Sequence, residues 1–224
     1  MTHTVHPYGH RLGIIRGWRS RWFSRGADYK LFLKQDVLIR GFLEKRLKGL
    51  YVSSLEIERN GKMFKIILKT ARPGMVIGRQ GEGTAKLKSD VEHFMRKHAM
   101  QVKELRIEIE EVRSPESDAG VVALTIVEGL EKRLAFRRVI KQTMDKVMAN
   151  RNVLGARFAI SGRLGGAEMS RKEELKRGML PLQTFRADVD FSKQTAILPY
   201  GTIGVKVWIY RGEVFVDKGQ QKNV

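Results

Sequence analysis

The sequence predicts an α+β fold in two lobes, and three observations carry that prediction. Apolar and polar residues alternate in short runs in both halves, as in FKIILK at 64–69 and IGVKVWIY at 203–210, the pattern of half-buried strands. Apolar stripes at helical spacing separate those runs, as in LIRGFLEKRL at 38–47. A polar connection, RSPESD at 113–118, divides the chain near its middle. These features give an N-terminal arm over 1–35, a first domain over 36–112 and a second over 113–224.

The arm, HPYGHRLGIIRGWRSRWFSRG at 6–26, holds turn residues, arginines and aromatics without a clean period. It reads as a segment lying on a partner. Trp18, Trp22 and Phe23 are placed either to stack on bases or to pack the arm onto its own domain. His3, His6 and His10 have a loosely metal-like spacing but no second cluster to complete a site. A helix follows, with Asp36 as its cap and Leu38, Ile39, Phe42, Leu43 and Leu47 on one stripe, ended by Gly49. Two strands joined at Asn60-Gly61, a type I′ turn pair, form a hairpin over VSSLEIERNGKMFKIILKT. After a glycine-rich loop comes a helix with Leu87, Val91, Phe94 and His98 in register, then a strand, VKELRIEIEEV.

In the second domain Asp118 caps a helix whose Leu124, Val127 and Leu134 face inward, and a second helix buries Ile140, Met144 and Val147. LGARFAIS, FRADVDF and IGVKVWIY read as strands, EMSRKEELKRG as a short charged helix, and GEVFVDKG as a short last strand. The final residues, KGQQKNV, read as frayed.

Composition narrows the function. The net charge is +19 and there is no cysteine, which removes thiolate metal sites and thiol nucleophiles. Charge of that size opposes compaction unless a polyanion neutralises it, so nucleic acid is the expected partner. No apolar run approaches the length of a membrane span, and the first twenty residues lack the apolar core of a secretory signal. Residues 1–35 carry seven Lys/Arg against one acidic residue, and residues 130–180 carry thirteen against five.

Two constellations stand out. VIGRQGEG at 76–83 is not a nucleotide loop. Counted from Gly78, the second glycine is Gly83, but Thr84 and Ala85 follow where a P-loop has Lys and Ser/Thr. A dinucleotide fingerprint would need glycine at Lys86. Gly78-Arg79-Gln80-Gly81 does fit a G-x-x-G loop feeding a helix. Without Cβ atoms a sugar-phosphate chain can come close, and the helix amino terminus meets phosphate oxygens, which is how a KH domain clamps about four nucleotides. The second constellation is EKRLAFRRVIKQ, where Arg133, Arg137 and Lys141 fall at i, i+4 and i+8 with Arg138 beside them. With nothing acidic in the stripe beyond Glu131, it reads as a phosphate-facing ridge.

VHPYGHRLG, TARPGMVIGRQGE, FRRVIKQ, SGRLGGAE and YGTIGVKVWIY, in that order along the chain, resemble small-subunit ribosomal protein three in its bacterial form. The resemblance spans essentially the whole chain. It implies a type II KH domain followed by an α+β domain with two helices packed on a mostly antiparallel sheet. It also implies a place in the head of the small ribosomal subunit in the cytoplasm, with an organellar ribosome as the alternative. The implied partners are 16S-type ribosomal RNA, neighbouring head proteins and messenger RNA, with no membrane, cofactor, metal or small-molecule substrate. By that resemblance Gly78, Arg79, Gln80 and Gly81 form the RNA loop, and Arg133, Arg137, Arg138 and Lys141 meet incoming message. Arg11, Arg16, Arg19, Arg21 and Arg163 are the candidates for ribosomal RNA. Gln80 and Gln142 depart from the family, standing where a second basic residue is common.

Two other classes compete with this reading. Some eukaryotic relatives of the family are reported to cut damaged DNA, and Asp188 and Asp190, at i and i+2 on one side of a strand, could hold a metal. No nucleophile or acid/base pair accompanies them, so catalysis is not expected. A freestanding KH regulator would need neither the arm nor SGRLGGAE.

Overall fold

The structure, a computed structural model, describes residues 5–60, 63–98, 100 and 104–215. His3, Gly61 of the expected hairpin turn and the frayed tail over 218–224 lie outside the described residues. Two compact units emerge: Arg19–Arg113, and Met1–Trp18 together with Ser114–Val224.

In the first unit the order is β1 (Ser20–Arg21), α2 (Ala27–Arg46), β2 (Val52–Asn60), β3 (Met63–Thr70), α3 (Pro73–Ile77), α4 (Glu82–Lys97) and β4 (Glu104–Glu111); the four-residue helix α1 (Pro7–His10) precedes them in the chain. The sheet order is β1-β2-β3-β4, with β2 and β3 antiparallel and β4 parallel to β3. Period-2 alternation places Leu55, Ile57, Phe64, Ile66, Leu68 and Leu105 on one face, where they meet Ile39 and Leu43 of α2 and Leu87, Val91 and Met95 of α4.

Helix α2 begins at Ala27, nine residues before the cap expected at Asp36. Asp36 is instead buried mid-helix, accepting from Arg59 Nη2 at 2.6 Å and from the Trp22 indole at 2.7 Å. Arg59 also donates to Gln35 and lies between the rings of Phe32 and Phe64. Residue type alone suggested a cap; a partner twenty-three residues away made it a core ion pair.

In the second unit α5 (Ala119–Glu131) and α6 (Phe136–Ala149) precede β5 (Gly155–Gly162), β6 (Arg171–Gly178), β7 (Ala187–Leu198) and β8 (Gly201–Glu213). The sheet, ordered β6-β5-β8-β7, is antiparallel throughout. Asp118 caps α5 as expected, accepting from the Gly120 and Val121 N–H groups. Ile126, Ile140, Met144 and Val147 pack on Phe158, Ile160, Val205, Val207 and Ile209, so both helices cover one face of the sheet.

Three expectations are corrected. Residues 171–178 form strand β6, not a charged helix: Leu175 packs toward the helices while Glu174 and Lys172 pair along the other face. Leu134 does not face inward; α5 ends at Glu131 and Leu134 is about half exposed in the connection. Gly212 and Glu213 belong to the end of β8, and no separate strand follows among the described residues.

Candidate nucleic-acid interface

The G-x-x-G loop joins α3 to α4. Gly78 (φ 72°) and Gly81 (φ 81°) both occupy the left-handed region that glycine adopts without strain, and Gln80 between them has φ 50°. Gly83, the third glycine, is demanded by packing: a Cβ there would stand 2.5 Å from the Val76 carbonyl oxygen. The Thr84 hydroxyl donates to the Gly81 carbonyl at 2.7 Å and fixes the loop's exit. Arg79 and Gln80 are exposed at the rim of an open depression that Gly81, Glu82 and Ala85 complete. Helix α4 begins at this rim, where the Glu82 N–H already donates to the Arg79 carbonyl, and Arg79 supplies charge. Glu82 in the first turn partly offsets the helix dipole.

Helix α6 forms the second surface. Val139, Ile140, Thr143 and Met144 are buried, which leaves Arg137, Arg138 and Lys141 exposed along the opposite side. Arg137 is engaged: its Nη2 and Nε donate to the two carboxylate oxygens of Glu173 on β6, at 3.1 and 3.3 Å. That hydrogen bonding holds the Glu173 carboxyl below the ordinary glutamate value and raises Arg137 above the ordinary arginine value. Arg138 and Lys141 have no carboxylate partner among the described residues. Arg133 does not continue the stripe. It lies in the α5–α6 connection with φ 59°, where its N–H closes the end of α5 on the Leu130 carbonyl. The i, i+4, i+8 pattern assumed an unbroken helix through 133, and the chain turns there instead. The helical composition of 171–178 hides Glu173 from the sequence. As a strand, residue parity puts it on the side facing α6.

The arginines expected to meet ribosomal RNA divide by environment. Arg11 is fully buried: its guanidinium donates to the carbonyls of Pro7, Pro181, Leu182, Thr184 and Ala187. Burial lowers its pKa, and the expectation that it reaches RNA is corrected, because every direction of its planar fork is occupied by backbone. Arg16 pairs with Asp188 at 2.6 Å. Arg21 bridges Glu56 and Glu58. Arg19 and Arg163 are exposed, and Arg163 donates to the carbonyls of Ala167 and Tyr200, bracing the SGRLGGAE turn while its surface stays open. Of the arm's aromatics, Trp22 is tied to Asp36, whereas Trp18 and Phe23 are exposed.

The Asp188–Asp190 pair is occupied by protein cations. Asp190 accepts from Arg211 and from the Ala119 N–H, each at 2.9 Å, and Asp188 takes Arg16. Among the described residues no cluster of three or more metal-ligating side chains occurs, and no helix is long and apolar enough to cross a membrane.

Fold and loop together define a KH-domain protein with a second, α+β domain. Comparison with known proteins sharpens that class. A family profile described as "KH domain" matches residues 38–117, and one described as "Ribosomal protein S3, C-terminal domain" matches 126–209. "Small ribosomal subunit protein uS3" of Caldicellulosiruptor saccharolyticus is 43% identical over 98% of this chain and 96% of its own length. Its namesake from Endomicrobium trichonymphae is 45% identical over 96% of this chain and 90% of its own, and that from Clostridium botulinum 43% over 99% and 98%. The chain belongs to the uS3 family of small ribosomal subunit proteins, a structural family and not an enzyme family.

Proposed function

We propose that this protein is a structural constituent of the small ribosomal subunit head, in the cytoplasm, where it binds small-subunit ribosomal RNA and neighbouring head proteins. In this reading α6 lines the channel through which messenger RNA enters. Arg138 and Lys141 hold message phosphates, and Arg137 exchanges Glu173 for a phosphate when message arrives. The observation that carries the reading is the exposed ridge of Arg137, Arg138 and Lys141 over a packed inner face, with two of its three cations lacking a carboxylate among the described residues. Solvent-exposed like charges one turn apart repel by a few tenths of a kcal/mol, so the ridge gains when a polyanion lies along it. The KH loop and Arg163 are the proposed ribosomal RNA contacts, with Arg79 providing charge and Gly78 and Gly81 allowing close approach.

The test is translation through a stable hairpin by ribosomes carrying Arg138→Ala and Lys141→Ala together. The expected result is slower passage through the hairpin with unchanged speed on unstructured message. Equal speeds on both templates contradict the reading. Sedimentation with small subunits through a moderate salt wash tests the placement itself.

A further inference from the structure

The face of the C-terminal sheet opposite α5 and α6 carries a charge pattern that the proposed function leaves unused. Strand parity and register place its residues in rows. Lys176, Arg157, Trp208 and Phe191 make one row across β6, β5, β8 and β7; Glu174, Ala159, Lys206 and Lys193 make the next; Lys172, Ser161, Gly204 and Thr195 make the third. Five cations thus share a platform with one carboxylate, and Glu174 is already paired with both Arg157 and Lys172, at 2.7 and 3.1 Å. Lys176, Lys193 and Lys206 are exposed and have no ion-pair partner among the described residues. Lys193 and Lys206 are direct cross-strand partners in the register. Two like charges placed directly opposite destabilise a sheet, so the arrangement opposes folding unless an anion lies over it.

We propose that this platform is a separate docking surface for the phosphate backbone of an RNA, independent of the KH loop and of α6. Three features select a nucleic-acid backbone over an acidic protein. The centre is floored by Ala159, Ser161, Gly204 and Thr195, small residues that let a chain lie flat and offer no bulky anchor of the sort that dominates protein interfaces. The charges sit on long flexible lysines around that floor, suited to phosphate and not to a carboxylate in fixed geometry. The aromatic row is engaged within the protein: Arg157 lies over the Trp208 ring, and Phe191 packs between Trp208 and His6. The surface therefore reads backbone and not bases, and the simplest occupant is duplex RNA.

The experiment uses the full-length chain, a 16-base-pair RNA duplex as probe, and Lys193→Ala/Lys206→Ala beside Arg138→Ala/Lys141→Ala. Both sheet lysines are exposed and their removal relieves a like-charge pair, so the variant melts no lower than the wild type. The sheet variant is expected to bind the duplex about tenfold more weakly at 100 mM salt, with the log–log salt slope shallower by about one for each lysine removed. Lys193→Arg/Lys206→Arg restores both. Bound duplex is also expected to protect Lys176, Lys193 and Lys206 from acetylation. Unchanged affinity and slope, or undiminished acetylation, overturns the inference and leaves the α6 reading standing. Loss in the sheet variant with none in the α6 variant supports the platform and counts against the ridge. Protection by an acidic polypeptide but not by the duplex also overturns it.

Discussion

The two sheets of this protein are built alike and charged differently. Each has four strands with helices on one face, and each turns long polar side chains outward. On the KH sheet the outward charges close on one another. Lys65 meets Glu58 and Glu108, Lys69 meets Glu56 and Glu110, and Arg21 bridges Glu56 and Glu58. Ile67, on the same outward face, is nonetheless buried. On the C-terminal sheet a single carboxylate sits among five cations and the middle row pairs lysine with lysine. A self-neutralised face has no charge to offer a polyanion, while an unneutralised one remains soluble and folded but gains from meeting one. The protein's excess charge is thus directed by position, and a count of basic residues does not locate it.

Five substitutions break or sharpen that contrast, and the largest effects test its premise that both units close their charges on the helix-facing side. Asp36→Ala leaves Arg59 buried without its carboxylate and is expected to cost about 3–5 kcal/mol in denaturant unfolding of the KH unit. Asp190→Ala strands the Ala119 N–H and removes one acceptor of Arg211, which keeps the Ser117 carbonyl and Asp188, and is expected to cost about 2 kcal/mol by the same measurement. Near-zero cost in either would show that one unit does not rely on its inner pair. On the outer faces, Lys69→Glu places three carboxylates together on the KH sheet and is expected to lower stability by about 1 kcal/mol, read as a lower melting temperature. Lys193→Glu should do the reverse on the C-terminal sheet, raising stability by about 0.5 kcal/mol through a new pair with Lys206. If both changes destabilise, the contrast between the faces fails.

The smallest effect concerns Glu173. Its carboxyl titrates below the ordinary value because Arg137 donates to it, so the pair is intact above the ordinary glutamate pKa and is lost as pH falls through the depressed value. Glu173→Gln is expected to tighten RNA binding slightly at neutral pH by freeing Arg137. The difference from wild type should vanish once acid has protonated Glu173, as measured by filter binding across pH.

Much of this architecture was legible from local pattern. Alternation marks β2, β3, β4, β7 and β8, and the G-x-x-G loop is legible from four residues because glycine reports a backbone requirement directly. What sequence did not show depended on partners far along the chain. Asp36 resembles a cap until Arg59 is set against it, and Arg11 resembles a surface cation until five carbonyls enclose it. The charged run at 171–178 has helical composition, yet its alternate residues serve two faces, and only pairing with β5 reveals which. The lysine platform was invisible for the same reason, since Lys176, Lys193 and Lys206 are neighbours only through register. Arg133 was misassigned because a helix stripe was extended through a turn that no proline or glycine marks.

Arg11 also imposes an order in time. Its most distant hydrogen-bond acceptor, the Ala187 carbonyl, lies 176 residues downstream. At about 5–20 residues per second, a nascent chain waits roughly 9–35 s between making this arginine and making its seat. Throughout that interval Arg11 lacks the acceptors at 181–187, while all of Arg19–Arg113 is made before it ends. A newborn copy therefore carries this arginine unseated until residues 181–187 emerge.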